Sequence, residues 1–439
     1  MKQRSNIQRP RRRGFLAAMG AASLLCGLLG IAAAQKPAPM KPGVPRQGEI
    51  HYTDPRLGPM PPVRAWDLFT VLPSRPVRTY GPVKDPKSGQ PYPYRLVVRI
   101  RSDAKSASTI RYTVHTQKSS DDLLARRVGR AMVYFYWLGR DYVNLGEDPH
   151  DQANTRYDIW LTHDGKPGAE QIKTNLYLYA VDEARAPAEW LRELAHEYSH
   201  HIFPRLGPFD EPEMWANGYY GERLLLKWLF DNGFTKLWDK EIDGQAYIRN
   251  QVVTLRDRFL NGGPASPDSV KTDANGMEHY IGFLLALEQM HSPKFFQTLI
   301  YRLSRSSPRP GGLTLTYSGV LRDQKPPEFT INPLAFIPSR SKTAKVAGGL
   351  SFSRAEYWVY LPGGRWQLAL PGTTPPDTEV NYGPIKLERR PGLTAGRVVY
   401  EANISALRTP IQWRRLSIAA PAGASVHLDA LRFVQVRRR

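Results

Sequence analysis

The spacing of apolar positions changes along the chain, and with it the predicted element. YRLVVRIRS (94–102) and STIRYTVHTQ (108–117) alternate apolar and polar residues rich in β-branching, which predicts two strands. SSDDLLARRVGRAMVYFYWLG follows with a Ser-Asp cap, and Leu124, Val128, Met132 and Tyr136 recur every fourth residue, so a helix with one buried stripe is predicted to Gly146. YDIWLTH and NLYLYAV read as two further strands. A helix beginning near Pro187 carries LAHEYSHHIF (194–203), and another is predicted over Glu211–Phe230 with Asp210 as cap and Pro212 just inside. GMEHYIGFLLALEQM and PKFFQTLIYRLSR are two more helices. Beyond SRSSPRPGG (304–312) the pattern turns to short strands separated by Pro-Gly-Gly and Pro-Ala-Gly turns, as in a β-sandwich or jelly roll. The predicted fold is multidomain α+β, with an α+β unit of about 200 residues ahead of an all-β sandwich. Its expected boundaries are 1–34 (export signal), 35–104 (Pro-rich tether and N-terminal β-subdomain), 105–305 (α+β unit), 306–344 (linker) and 345–439 (sandwich).

The N-terminus modifies this picture. QRPRRRGFLAAMGAASLLCGLLGIAAAQ joins a basic stretch to an apolar run and an Ala-Ala-Ala end, the layout of a bacterial export signal cleaved after Ala34. Arg12-Arg13-Gly14-Phe15-Leu16 resembles the twin-arginine motif. The sequence therefore predicts a protein exported to the periplasm or beyond, with no stable membrane insertion once the signal is removed. The formal charge is +21; Lys2, Arg4, Arg9, Arg11, Arg12 and Arg13 lie in the signal, which leaves +15. Such a charge suits anionic surfaces or acidic polymers. No zinc-finger spacing or RNP-type motif accompanies it, so nucleic acid is not an expected partner. Cys26, the only cysteine, also lies in the signal, which excludes disulfides and cysteine-ligated metal.

The remaining chemistry centres on His196, Glu197 and His200. Residues i and i+4 share a helix face, so both imidazoles can reach one ion, and zinc takes nitrogen ligands at about 2.0–2.1 Å. Glu197 stands beside the first ligand, where a carboxylate can take a proton from metal-bound water. Leu191, Leu194 and Ala195 make the surrounding helix apolar. His201 points about 100° away from His200 and is left out of the metal set. A catalytic zinc needs a third protein ligand, and here it must be His, Asp or Glu. The metzincin continuation is absent, since Phe203 stands where glycine is required.

Glu213-Met214-Trp215-Ala216-Asn217, in the next predicted helix, resembles the ExxA[D] signature of the gluzincins, the thermolysin- and neprilysin-like zinc metallopeptidases of the peptidase MA type. The resemblance implies a zincin-like domain that holds Zn2+ through His196, His200 and Glu213, with Asn217 orienting a ligand histidine. Only twelve residues separate His200 from Glu213, and Asn217 replaces the usual Asp. A competing alignment sets WANGYYG against the WLNEGFA segment of gluzincin aminopeptidases and puts Asn217 at the ligand position, leaving a weak or dead site. Glu222 is a further candidate for third ligand. His279 and Tyr280, in EHYIGFLLALEQ, resemble the oxyanion-stabilising Tyr of this family, and the NLYLYAV strand resembles its substrate-binding edge strand.

The resulting expectation is a secreted zinc metallopeptidase acting on peptide or protein substrates, with Glu197 as general base. No GxMEN-like motif precedes HExxH, which favours an endopeptidase. The alternative is a catalytically silent zincin-like protein whose sandwich binds carbohydrate or an anionic cell-surface polymer, with Trp358, Trp366 and Trp413 either sugar platforms or core.

Overall fold

The computed structural model describes residues 68–76, 82–101, 109–143, 156–182, 187–205, 216–232, 242–262, 274–305, 312–323, 328–391, 396–404 and 413–436. The expected export signal, the expected Pro-rich tether and Glu213 lie outside them. Among the described residues no helix is long and apolar enough to cross a membrane. The fold is mixed α+β.

Its first sheet uses β1 (Leu68–Pro76), β4 (Tyr94–Arg101), β5 (Thr109–Thr116), β6 (Arg156–Leu161), β7 (Gly168–Ile172) and β8 (Asn175–Tyr179), in the order β1-β4-β5-β6-β8-β7. β5, β6 and β8 run parallel and the other pairs antiparallel. Parallel neighbours need a crossover, and α1 (Asp122–Val143) supplies the one from β5 to β6. Strand alternation turns Leu96, Val98, Tyr112, Val114, Ile159, Leu161, Leu176 and Leu178 into a core with Val128, Met132 and Phe135 of α1. On the opposite face a hairpin of β2 (Val83–Lys84) and β3 (Pro91–Tyr92) covers Trp160 and Tyr177. Tyr92 meets Trp160 edge-on at 5.0 Å, and Tyr177 donates from its hydroxyl to Asp85 at 2.8 Å.

The helices follow: α2 (Pro187–Ile202), α3 (Asn217–Asp231), α4 (Gly244–Tyr247), which passes through a π-helical stretch (248–253) into α5 (Thr254–Gly262), then α6 (Ala274–Met290), α7 (Pro293–Ser304) and α8 (Gly312–Arg322). β9 (Glu328–Ile331) leads into two antiparallel sheets. One comprises β10 (Lys342–Val346), β11 (Gly349–Val359), β13 (Glu379–Tyr382), β14 (Ile385–Lys386), β17 (Arg414–Ala419) and β18 (Val426–Leu428). The other comprises β9, β12 (Gly364–Pro371), β15 (Glu388–Arg389), β16 (Arg397–Ile404) and β19 (Leu431–Val436).

Three expectations change. β1 and β4 belong to the same sheet as β5, so the boundary expected at 104 falls inside a sheet. The span expected to be linker, 306–344, contains α8 and β9, and β9 is hydrogen-bonded to β19. NLYLYAV (β8) is interior, between β6 and β7, and among the described residues the sheet edge is β7. The described residues form one compact unit, and their core is continuous from the first sheet through the helices into both sheets of the sandwich. Trp358 donates from Nε1 to the Leu260 carbonyl of α5 at 2.9 Å. Trp413 packs on Phe283 and Tyr317, with ring centroids 5.3 and 5.0 Å away. Trp366 is 2% exposed. These indoles fill the core and the junction with the helices, and none forms an exposed sugar platform.

Candidate metal centre

Helix α2 sorts its side chains by face. Leu191, Leu194, Ala195, Tyr198 and Ile202 are buried in the core, where Tyr198 shares a hydroxyl–hydroxyl hydrogen bond of 2.8 Å with Tyr112 of β5. That packing fixes the helix against the sheet and turns His196 and His200 toward α3. His196 and Glu197 are each 8% exposed.

Helix α3 supports both imidazoles from behind. Asn217 Oδ1 lies 3.1 Å from His200 Nδ1. The Asn217 amide nitrogen donates to the carbonyls of His200 and Phe203 at 3.3 and 3.4 Å, so Oδ1 is left as acceptor and His200 Nδ1 must carry the proton. Glu222, 1% exposed, places Oε2 3.3 Å from His196 Nδ1, and its Oε1 accepts from the Tyr247 hydroxyl at 2.9 Å. Arg192 approaches the same carboxylate at 3.8 Å. Burial, with the Glu222 charge behind it, pushes the Tyr247 phenol well above its usual range and keeps it a donor. Both imidazoles thus direct Nδ1 at an acceptor on α3, which makes Nε2 the nitrogen suited to a metal.

Both imidazoles border Gly218. A Cβ built on Gly218 would stand 2.6 Å from both Cε1 and Nε2 of His200 and 2.8 Å from His196 Nε2. The two rings are 5.1 Å apart between centroids and nearly perpendicular, at 83°. Two imidazoles on one face of α2, each with Nδ1 held by an acceptor from α3, form a donor set that fits a cation such as zinc.

The other expected site residues fall in different places. Glu222 and Asn217 both face Nδ1, as partners that orient the imidazoles. His279 packs its ring on Phe259 at 5.1 Å; burial lowers its pKa and leaves its Nε2 without a hydrogen-bond partner. Tyr280 is buried in α6. His201 packs edge-on against Tyr157 at 4.9 Å, and burial, with the adjacent His200 charge, pushes it down to about 3. It is a core imidazole.

Sequence reasoning missed Gly218 and Tyr219, whose ring meets His196 edge-on at 4.5 Å. The signal for Gly218 was a glycine one residue into a helix beside an Asn. It also missed a second group of potential ligands, Asp121, His163 and Asp182. There, however, Lys118 Nζ lies 3.1 Å from both His163 Nδ1 and Asp182 Oδ2. His163 Nε2 lies 2.9 Å from Asp121, and its Nδ1 contacts Asp182. The ammonium already supplies the positive charge, so this cluster is an ion-pair network joining the start of α1 to the turn after β6. Compared with known proteins, the sequence matches no family model and no curated protein.

Proposed function

We propose that this protein is an exported zinc-dependent peptide hydrolase of the zincin type, with its centre at His196 and His200. The observation that carries the reading is the pairing of His196 and His200 on one face of α2, each with Nδ1 backed by an acceptor from α3. Glu213, outside the described residues, is the proposed third ligand. Bound zinc would supply Lewis acidity to a peptide carbonyl and lower the pKa of a water. Glu197, next to the first ligand on α2, takes the proton of the attacking water and passes it to the leaving amine. β7, the outer strand of the first sheet among the described residues and a neighbour of α2, can hold an extended peptide by backbone pairing. His279 or Tyr280 of α6 would supply the hydrogen bond to the oxyanion, as the family resemblance implies. The apolar, basic N-terminal segment is consistent with action outside the cytoplasm.

A second reading, a metal-binding but catalytically silent domain, draws on Gly218, because the part of α3 nearest the two imidazoles offers no ligand side chain. Cleavage of a casein or quenched-fluorescent peptide substrate by wild type and Glu197→Ala separates the two. Hydrolysis in wild type and its loss in Glu197→Ala, with zinc retained, is the expected result. Equal hydrolysis by both proteins would remove Glu197 from the mechanism. Zinc binding without hydrolysis in wild type would establish the silent reading.

A further inference from the structure

One end of the sandwich holds a cavity of about 460 Å3, within the size range of small-molecule pockets. Its described lining comes from four strand ends: the β10–β11 turn (Val346–Gly349), the end of β12 (Pro371–Thr373), the start of β16 (Gly396 and Arg397) and the passage from β18 to β19 (His427–Asp429). Arg397 ties two of these together, since its Nη2 donates to Asp429 Oδ2 at 3.0 Å. Glycine keeps the walls low. Gly348 and Gly396 turn with φ of +79° and +72°, a conformation other residues rarely adopt, and a Cβ at either would meet nothing within 4 Å. The polar side chains are only partly committed. Asp429 accepts from Arg397 and from the Ala430 amide, yet its side chain is 52% exposed. Arg397 Nη1 has no hydrogen-bond partner. Among the described residues, none bonds to the exposed His427 imidazole or to the exposed Thr373 hydroxyl. Val346, 42% exposed, adds an aliphatic surface.

We infer that this cavity binds a neutral saccharide. A sugar hydroxyl both donates and accepts, and the lining supplies both counterparts: Asp429 accepts, Arg397 donates, and His427 and Thr373 do either. An acceptor oxygen on the ligand also answers Arg397 Nη1, a donor whose isolation costs stability. Val346 offers its methyl groups to the C–H face of a ring. A phosphate or carboxylate would meet the Asp429 charge, and an apolar ligand would strip water from four polar side chains without replacing their hydrogen bonds. No aromatic side chain lines the cavity among the described residues. The saccharide is therefore held by hydrogen bonds rather than by stacking, unlike at a site built on Trp358, Trp366 or Trp413. The site is confined to the sandwich and stands whether or not the zinc reading does.

The test is isothermal titration of the full chain with soluble dextran, mannan, galactan and xylan, and with polygalacturonate as the charged arm. Wild type, Asp429→Asn and His427→Ala are compared, and thermal unfolding reports the fold of each. We expect wild type to bind at least one of the neutral polysaccharides, and each variant to bind it at least tenfold more weakly at an unchanged unfolding temperature. Binding of none of the four neutral polymers would overturn the inference. Binding of polygalacturonate alone would do the same, because it would make the site one for anions. Equal affinity in wild type and both variants would place the saccharide elsewhere on the chain and contradict the assignment of this cavity. If Asp429→Asn does not fold, His427→Ala decides, since no described residue depends on that imidazole.

Discussion

Glu222 in the helical half and Glu401 on the sandwich are both buried carboxylates, and they keep different company. Glu222 faces an imidazole and a phenol, with one guanidinium at 3.8 Å. Glu401 accepts from Arg390 at 2.6 and 3.1 Å, from Gln367 at 3.0 Å and from Arg365. Those hydrogen bonds, Arg390's first, outweigh the cost of burial and hold the Glu401 pKa at about 2. Arginine saturates one carboxylate and ties it into a structural cluster. The other is left to polarise a neutral imidazole, the arrangement that orients a metal ligand. Glu356, on the sandwich's other sheet, repeats the Glu401 pattern with Arg354 and Arg415. The difference teaches that burial alone does not distinguish a functional carboxylate; the partners do.

The largest effect expected to sharpen this contrast is on metal affinity. Glu222→Gln should weaken zinc binding about 10–100-fold, the usual consequence of losing a hydrogen-bond partner behind a ligand. Glu401→Gln should leave it unchanged, with isothermal titration as the check. Equal losses in the two variants would break the distinction.

Acid should expose the next effect, because the two halves contain groups that titrate in different windows. His291, at the junction of α6 and α7, is stacked on Phe295 at 4.1 Å and bonded through Nε2 to the Tyr317 hydroxyl at 2.8 Å. Burial lowers its pKa from 6.5 to about 3. Between those values the unfolded chain binds a proton that the folded chain refuses, so stability falls with acid by about 1.4 kcal/mol per pH unit from this group. His201 adds to the same window. Glu401 acts in the same direction in a lower window: its pKa is depressed from 4.5 to about 2, so its contribution is complete above 4.5 and is lost as pH falls from 4.5 toward 2. Urea unfolding of metal-free protein between pH 7 and 5 should show a loss that is smaller in His291→Gln and unchanged in Glu401→Gln. An identical slope in wild type and His291→Gln would contradict the assignment.

At neutral pH Glu401→Ala should cost about 1–3 kcal/mol, the scale for buried groups stripped of a hydrogen-bond partner. The smallest effect concerns the junction between the halves. Trp358→Phe removes the hydrogen bond to the Leu260 carbonyl and should lower stability by about 1 kcal/mol without changing metal affinity. Thermal unfolding with a parallel zinc titration checks both variants.

Periodicity explains what could be read in advance. α1, α2, α6 and α7 announce themselves through apolar stripes, and the sandwich strands through alternation and turns. Less was legible where partners decide. β7 reads Gly-Ala-Glu-Gln-Ile with every residue half-buried, so it carries no alternation that would mark it as the sheet edge. β1 sits in a Pro-rich stretch and becomes a strand through pairing with β4. β9 is four residues long and owes its place to β19. At the metal centre, HExxH spacing placed His196 and His200 on one face, and Asn217 could be read as a partner for a histidine. The direction of Glu222 was not legible, since it depends on how α3 is rotated against α2. That rotation is set by Gly218 and Gly221, where a Cβ would collide with side chains of α2.

X-ray absorption at the zinc edge of the zinc-loaded full chain tests the central claim most directly. One zinc per chain, with two imidazole nitrogens at about 2.0–2.1 Å and loss of that signal in His196→Ala and His200→Ala, is the predicted result. Zinc held without imidazole, or a spectrum untouched by both substitutions, would contradict it.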